Sequence, residues 1–291
     1  MSARANVSEP TTFYDGDDGL LTPEVGIWVE KKYRLVALYD ELFSTGTKNT
    51  WDQRVYVDLF AGAGKVRIRN TAKVLTGSPL LALRVRDKFN HHLFCEENAS
   101  LIHTLKTRVQ HAYAGLSASY FEGDCNARIQ DVVREIPAPS HRNKVLTFCF
   151  VDPFSLNIEF ESIRALSGAR YVDFLILLAL SMDAGRNETL YVDENNDKID
   201  RFLGTKTWRT RWKAEQKVGK SFRMFLAMEY AKQMIQLGYR SESSREMIEV
   251  RSEEKNLPLY HLAFFSRHQL GYRYWKQVRK YATTQGQLFD S

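Results

Sequence analysis

Val55-Tyr-Val-Asp-Leu-Phe-Ala-Gly-Ala-Gly-Lys65 decides how this chain is read. It opens as a short apolar run, Val55 to Leu59, carries an acid at Asp58, and ends in Gly62 and Gly64, one residue apart. An apolar run of this length reads as a strand buried on both faces. Glycines directly after it let the backbone turn tightly and approach a ligand, because no Cβ stands in the way. Asp58 falls where the carboxyl end of the strand meets that turn. In open α/β sheets this is where ligands bind.

Outward from this stretch the chain alternates between strand and helix patterns. Pro23 to Phe43 has helical apolar spacing, with Pro23 suited to a first turn, and residues 44–50 read as a loop. The segment Lys65 to Thr76 is longer than an ordinary strand-to-helix turn and rich in cations, and Ser78-Pro79 then starts a helix. Further strands are expected at His92 to Glu96, Tyr120 to Asp124, Val145 to Val151 and Val172 to Leu180, with helices between them. Such alternation argues for a parallel sheet with helices on both faces. The strand ends carry Asp58, Glu96, Asp124 and Asp152, which parallel strands place on one edge. Met247 to Arg251 and Leu259 to Ser266 read as an antiparallel hairpin at the sheet edge. The expected fold is α/β, with seven strands, mostly parallel. The expected organisation is a flexible acidic arm over 1–24, one domain over 25–285 with a basic helical insertion over 184–218, and a tail over 286–291.

Composition narrows the function classes. The 291 residues carry a net charge of +6, and no apolar run is long enough to cross a bilayer. The N-terminus is polar and acidic without a signal-peptide core. Cys95, Cys125 and Cys149 are widely spaced, two of them in apolar runs, which reads as reduced buried thiols and a cytoplasmic chain. Neither they nor the histidines form a metal-ligand pattern, so no metal is expected. Charge is uneven: from Arg201 to Arg223 eight cations face the single acid Glu215, with Trp208 and Trp212 interleaved. Such a block suits phosphate contact with base stacking, or else a solvated helical face anchored by its tryptophans. The cations assigned to substrate binding are Lys65, Arg67 and Arg69 after the glycines, with Arg186, Arg209 and Arg211 in the later block.

The glycine stretch lacks the third glycine of the dinucleotide fingerprint, which weakens a nicotinamide-dependent reading. Asp58-x-Phe60-x-Gly62-x-Gly64 is closer to the first motif of class I S-adenosylmethionine (SAM) methyltransferases. SAM has no pyrophosphate to hold, and its cationic methionine end favours a carboxylate, supplied by Asp58 directly or through water. Glu96 is placed to accept hydrogen bonds from ribose hydroxyls. Asp124 is placed to meet the adenine amino group, with Cys125 or Asn126 supplying a backbone N–H. Asp152-Pro153-Phe154-Ser155 stands where a reacting group would face the methyl donor. Amino methyltransferases carry Asp/Asn-Pro-Pro-aromatic at this point, where the acid or amide and a backbone carbonyl hold an exocyclic NH2 and the aromatic ring stacks on the base. Here the second proline is absent and the aromatic comes one place early, so the stretch more nearly resembles the Asp-Pro-Phe/Tyr-Gly of tRNA guanine-N2 dimethyltransferases. The alternative is a proline turn with Phe154 in the core.

Val55 to Lys65, Gly77-Ser-Pro-Leu80, Phe148-Cys-Phe-Val-Asp-Pro-Phe154, Val172-Asp-Phe-Leu-Ile-Leu177 and Pro258-Leu-Tyr-His-Leu-Ala-Phe-Phe265 occur in this order. Together they resemble the three-Cys-motif partner protein family (TcmP) over roughly residues 25 to 285, with Ala63 in place of a proline. The three cysteines of that name belong to a phage-related partner whose motif resembles a radical-SAM-type iron–sulfur site. The resemblance implies a Rossmann-like class I methyltransferase sheet and a paired system often linked to mobile elements. The reading that follows is a SAM-dependent methyltransferase acting on nucleic acid at an exocyclic base amine, working with that partner. The rival is a catalytically silent SAM-fold subunit that recruits or positions the partner.

Overall fold

The computed structural model describes residues 14–168, 170–240, 247–251 and 257–288. In chain order the elements are β1 (Tyr14–Asp15), β2 (Glu24–Val25), α1 (Val29–Thr47), β3 (Gln53–Asp58), β4 (Lys65–Ile68), β5 (Val74–Thr76), α2 (Ser78–Arg84), β6 (His91–Glu96), α3 (Ala99–Ala112), β7 (Ala118–Glu122) and α4 (Cys125–Glu135). There follow β8 (Val145–Val151), α5 (Phe160–Ser167), β9 (Tyr171–Leu178), a π-helical turn (Leu180–Ala184), α6 (Glu188–Val192), α7 (Lys198–Leu203), α8 (Trp208–Lys217), α9 (Phe222–Gln236), β10 (Ile248–Arg251), β11 (Pro258–Phe265) and α10 (Gln269–Leu288).

The main sheet has seven strands in the order β10-β11-β9-β8-β3-β6-β7. The pairs β8–β9, β3–β8, β3–β6 and β6–β7 are parallel; β11 runs antiparallel to both β9 and β10. This is the expected Rossmann-like sheet of seven mostly parallel strands with its antiparallel edge. Side chains alternate across it, so each strand feeds two cores. Val55 and Val57 of β3 and Cys149 and Val151 of β8 enter the core shared with α4, α5, α7, α8 and α9. Tyr56, Phe148 and Phe150 enter the opposite core, shared with α1, α2, α3 and α10. Asp58 therefore points to the α1 and α2 face, two residues on from Tyr56. The three cysteines are free and buried. Among the described residues no helix is long and apolar enough to cross a membrane.

Three local expectations are corrected. The first helix begins at Val29, not Pro23, because Glu24 and Val25 pair in parallel with Arg67 and Ile68; it then runs through the expected loop to Thr47. Lys65 to Thr76 is not a long loop but the hairpin β4–β5, flanked by β1 and β2 in a second, four-stranded sheet. Its apolar side, Ile68 and Leu75, packs on Val29, Tyr33 and Ala37 of α1. The insertion is helical, as α6 to α8, but its tryptophans are buried and leave no ring face for a base to stack on. Trp208 is 0% and Trp212 2% exposed; both rings pack on Phe222 and Phe225, and Trp208 donates to Asp200 Oδ1 at 2.7 Å.

Candidate active site

The strand order reverses between β3 and β8, and in doubly wound sheets the ligand crevice opens at that point. The carboxyl ends that meet there carry Asp58 and Asp152. After Asp58 the chain turns through Gly62 (φ 61°) and Gly64 (φ 83°), both left-handed, a conformation that only glycine adopts without strain. A Cβ on Gly64 would stand 2.8 Å from Leu105 Cδ1 and 3.1 Å from Leu80 Cγ. The hairpin then leads back to the loop: Gly77 N–H donates to Gly64 O at 2.8 Å, and α2 starts at the next residue. A third glycine is thus present in space, thirteen residues further along the chain.

The acids occupy this edge in different ways. Glu96 Oε2 accepts from Gly62 N–H and Oε1 from Asn98 N–H, each at 2.9 Å. A carboxylate has about four lone-pair sites, so both oxygens keep capacity for a further donor. Asp124 is exposed and caps α4, taking Asn126 N–H at 2.9 Å. Cys125, in the first turn of α4, is buried, and its thiol is pushed up by desolvation. Phe60 is half-buried; its N–H donates to Asp58 Oδ1 at 3.2 Å. Asp58 is 0% exposed, and burial pushes its carboxyl up to about 7. Hydrogen bonds from Ser78, Phe60 N–H and Tyr56 oppose that rise, and the Asp152 charge adds to it. Asp40 of α1 lies in the same buried layer, and neither of its carboxyl oxygens has a hydrogen-bond partner among the described residues. Its pKa is raised by burial first and by the Asp58 charge next.

Across the reversal, Asp152 Oδ2 meets Lys32 Nζ of α1 at 2.5 Å, with little of either side chain exposed. Tyr33 and Tyr260 border the same point: burial raises both phenols, and the Asp152 charge raises them further. Pro153 is buried, whereas Phe154 is 90% exposed. The reading of Phe154 as a core residue is therefore excluded.

Most of the expected phosphate-binding cations are spent inside the chain. Lys65 is buried among Asp18 (3.0 Å), Asp15 (3.4 Å) and Gly16 O (3.0 Å); Arg67 pairs with Asp17 at 2.5 Å. Arg209 is bound to Asp200 and lies over the Trp208 ring, and Arg211 pairs with the buried Glu229 at 2.6 Å. Lys65 and Arg209 are largely buried in these pairs, whereas Arg67 and Arg211 stay part-exposed beside their carboxylates. Arg69 and Arg186 remain exposed.

From Tyr14 on, the acidic N-terminal stretch is tied to the body; residues 1–13 and 289–291 lie outside the described residues. Its anchor, which sequence reading missed, is Arg108 of α3. The Arg108 guanidinium donates to both oxygens of Asp18 at 2.8 Å, to Leu21 O at 3.0 Å, to Thr22 Oγ1 at 2.9 Å and to Ala63 O of the glycine loop at 2.6 Å. That pairing drives the Asp18 carboxyl well below the usual carboxylate range. Arg108→Ala is expected to cost about 2 kcal/mol, from the charged hydrogen bonds and acceptors left unpaired. Limited proteolysis read by mass spectrometry should show faster cleavage within residues 14–25; an unchanged digestion pattern would refute the anchor.

No protein-family model matches the chain, and no curated protein matches it. Among solved structures it is similar to protein LPL1258 from Legionella pneumophila, with 9% identity and a TM-score of 0.43 over 80% of this chain and 82% of that one. It is also similar to the O-methyltransferase TomG from Streptomyces achromogenes, solved in complex with SAM, with 10% identity and a TM-score of 0.39 over 86% and 93%. Magnesium protoporphyrin IX methyltransferase from Synechocystis, solved with bound SAM, aligns at 8% identity and a TM-score of 0.38 over 83% and 85%.

Proposed function

We propose that the chain binds SAM at the carboxyl edge of the main sheet and transfers its methyl group to an exocyclic amine of nucleic acid. The observation that carries this reading is the pairing of Glu96 with Gly62 N–H. It sets a ribose-type carboxylate against a glycine loop that comes close enough for a ligand, at the point where strand order reverses. Asp58 lies behind the loop to balance the cationic methionine end, and Asp124 and Cys125 stand at the next strand end for the adenine. Bound SAM would supply an activated methyl group; the chain's own residues orient the acceptor and exclude water.

On the acceptor side the pieces are Asp152 and Phe154. Asp152 already accepts from an ammonium, so an N–H donor fits its carboxylate. A phenyl ring left 90% in water at that loop has no packing role and suits stacking on a flat base. Direct transfer to an amine needs mainly alignment, and these two residues provide it.

The test is calorimetric titration with SAM and S-adenosylhomocysteine, followed by transfer of labelled methyl groups to DNA and RNA. Phe154→Ala is expected to leave melting temperature and SAM affinity unchanged while raising the acceptor KM about tenfold, the lower range of one lost stacking contact. If the wild-type chain binds neither ligand, the reading fails. A second reading is favoured by the Lys32–Asp152 pair, which occupies the acceptor-side acid. In it the chain is a silent SAM-fold subunit that positions a three-Cys-motif partner. SAM binding without transfer, and transfer that appears only when the partner is added, would favour this second reading.

A further inference from the structure

A cavity of about 610 Å³ lies one strand along from Asp152, where the π-helical turn after β9, the N-terminus of α9 and the start of β11 come together. Asp183 of that turn accepts from Leu156 N–H at 2.9 Å, so the turn is fastened to the loop that follows Asp152. Three cations stand in the cavity wall. Arg186 is exposed, Arg223 reaches Ser181 Oγ at 3.5 Å, and Lys220 is held by Glu215 at 2.9 Å. Glu188 is the one carboxylate of this wall among the described residues.

The uncharged donors point the same way. α9 is a 15-residue helix whose N-cap, Ser221, makes no side-chain capping bond and whose first turn holds no acid. Its first N–H groups are therefore available to an anion, and the helix dipole favours one. Trp212, 2% exposed, contributes ring surface to the wall. Phe222, Pro258 and the half-exposed Leu257 add apolar surface beside these donors.

We propose that this cavity is a phosphate-ester site, taking the phosphate of a nucleotide unit on Arg186, Arg223 and the N-terminus of α9. The site goes beyond methyl transfer: it would hold a phosphate whether or not SAM is bound.

The full-length chain is titrated calorimetrically with inorganic phosphate and a nucleoside 5′-monophosphate. A fluorescein-labelled single-stranded oligonucleotide is followed by anisotropy, all at about 50 mM salt, where phosphate contacts are strong. Arg186→Ala/Arg223→Ala is expected to lose affinity at least about tenfold. Lys213→Ala, an exposed cation of α8 outside the wall, should stay near wild type. Equal affinity for mononucleotide and oligonucleotide identifies a free nucleotide as the source; much tighter, salt-sensitive oligonucleotide binding identifies a strand backbone. Should the double variant melt early, Arg186→Ala alone, at an exposed position, carries the comparison. Absence of binding by the wild-type chain to all three probes, or an equal loss in Lys213→Ala, overturns the proposal.

Discussion

Replacing Glu96 by alanine is expected to weaken SAM binding about 100-fold. Two ribose hydroxyls donating to one carboxylate are hydrogen bonds to a charged group, worth about 1.5 kcal/mol each at the lower end, and about 3 kcal/mol is two orders of magnitude in Kd. The same carboxylate holds Gly62 N–H, so the variant also loosens the loop that must approach the ligand. Stability should change little, because Glu96 is half-exposed and water can replace it at Gly62 and Asn98. Calorimetry with SAM and S-adenosylhomocysteine, beside thermal melts, checks both statements. The loss should be equal for the two ligands, since their ribose is the same. Wild-type affinity in Glu96→Ala would remove the basis for placing the cofactor on this edge.

Much of the fold was legible because its strands are apolar runs bounded by polar ends. Val145 to Val151 is buried throughout, and a residue sequence of that kind has few other places in an α/β fold. The acids at the strand ends were legible for the same reason: in a parallel sheet, position along the chain becomes position on one edge. What sequence reading missed depends on partners distant in the chain. Lys32 is 120 residues from Asp152, and a helix with helical apolar spacing gives no sign that one lysine turns inward. The cationic segment after the glycines looked like a phosphate grip because Lys65, Arg67 and Arg69 were counted without the acids at Asp15, Asp17 and Asp18, which fold back onto two of them. Likewise Arg209 and Arg211 are paired with Asp200 and Glu229, one preceding them and one on α9. The third glycine was missed because a hairpin separates Gly77 from Gly64, and a fingerprint read by spacing cannot see a contact restored in space.

Binding of SAM is expected to strengthen about 100-fold between pH 5 and pH 8, through Asp58. In the folded chain its carboxyl titrates at about 7, raised first by burial, against an ordinary value of 3.8. The folded state therefore keeps this proton across a window where the unfolded chain has already lost it. The stability this contributes is fully present below the unfolded value and is lost as pH rises through about 7, a change on the order of 4 kcal/mol for one fully buried group. Asp173 acts in the same sense: burial also pushes it to about 7, while Ser266 and Tyr39 oppose the rise. Melting curves of Asp58→Asn and Asp173→Asn therefore separate the two contributions. A sulfonium placed near Asp58 reverses the preference, because the carboxylate gains a partner and releases its proton. Below pH 7 that release makes affinity climb by up to about tenfold per unit, and above pH 7 it levels off. Calorimetry in buffers of different ionisation enthalpy should register one proton released per SAM bound near pH 6. S-Adenosylhomocysteine has a neutral sulfur and should show a shallower slope, and Asp58→Asn should flatten the slope for SAM. Equal slopes for the two ligands would put their shared α-ammonium, not the sulfonium, beside Asp58, and a slope that survives in Asp58→Asn would leave Asp58 a buried structural acid.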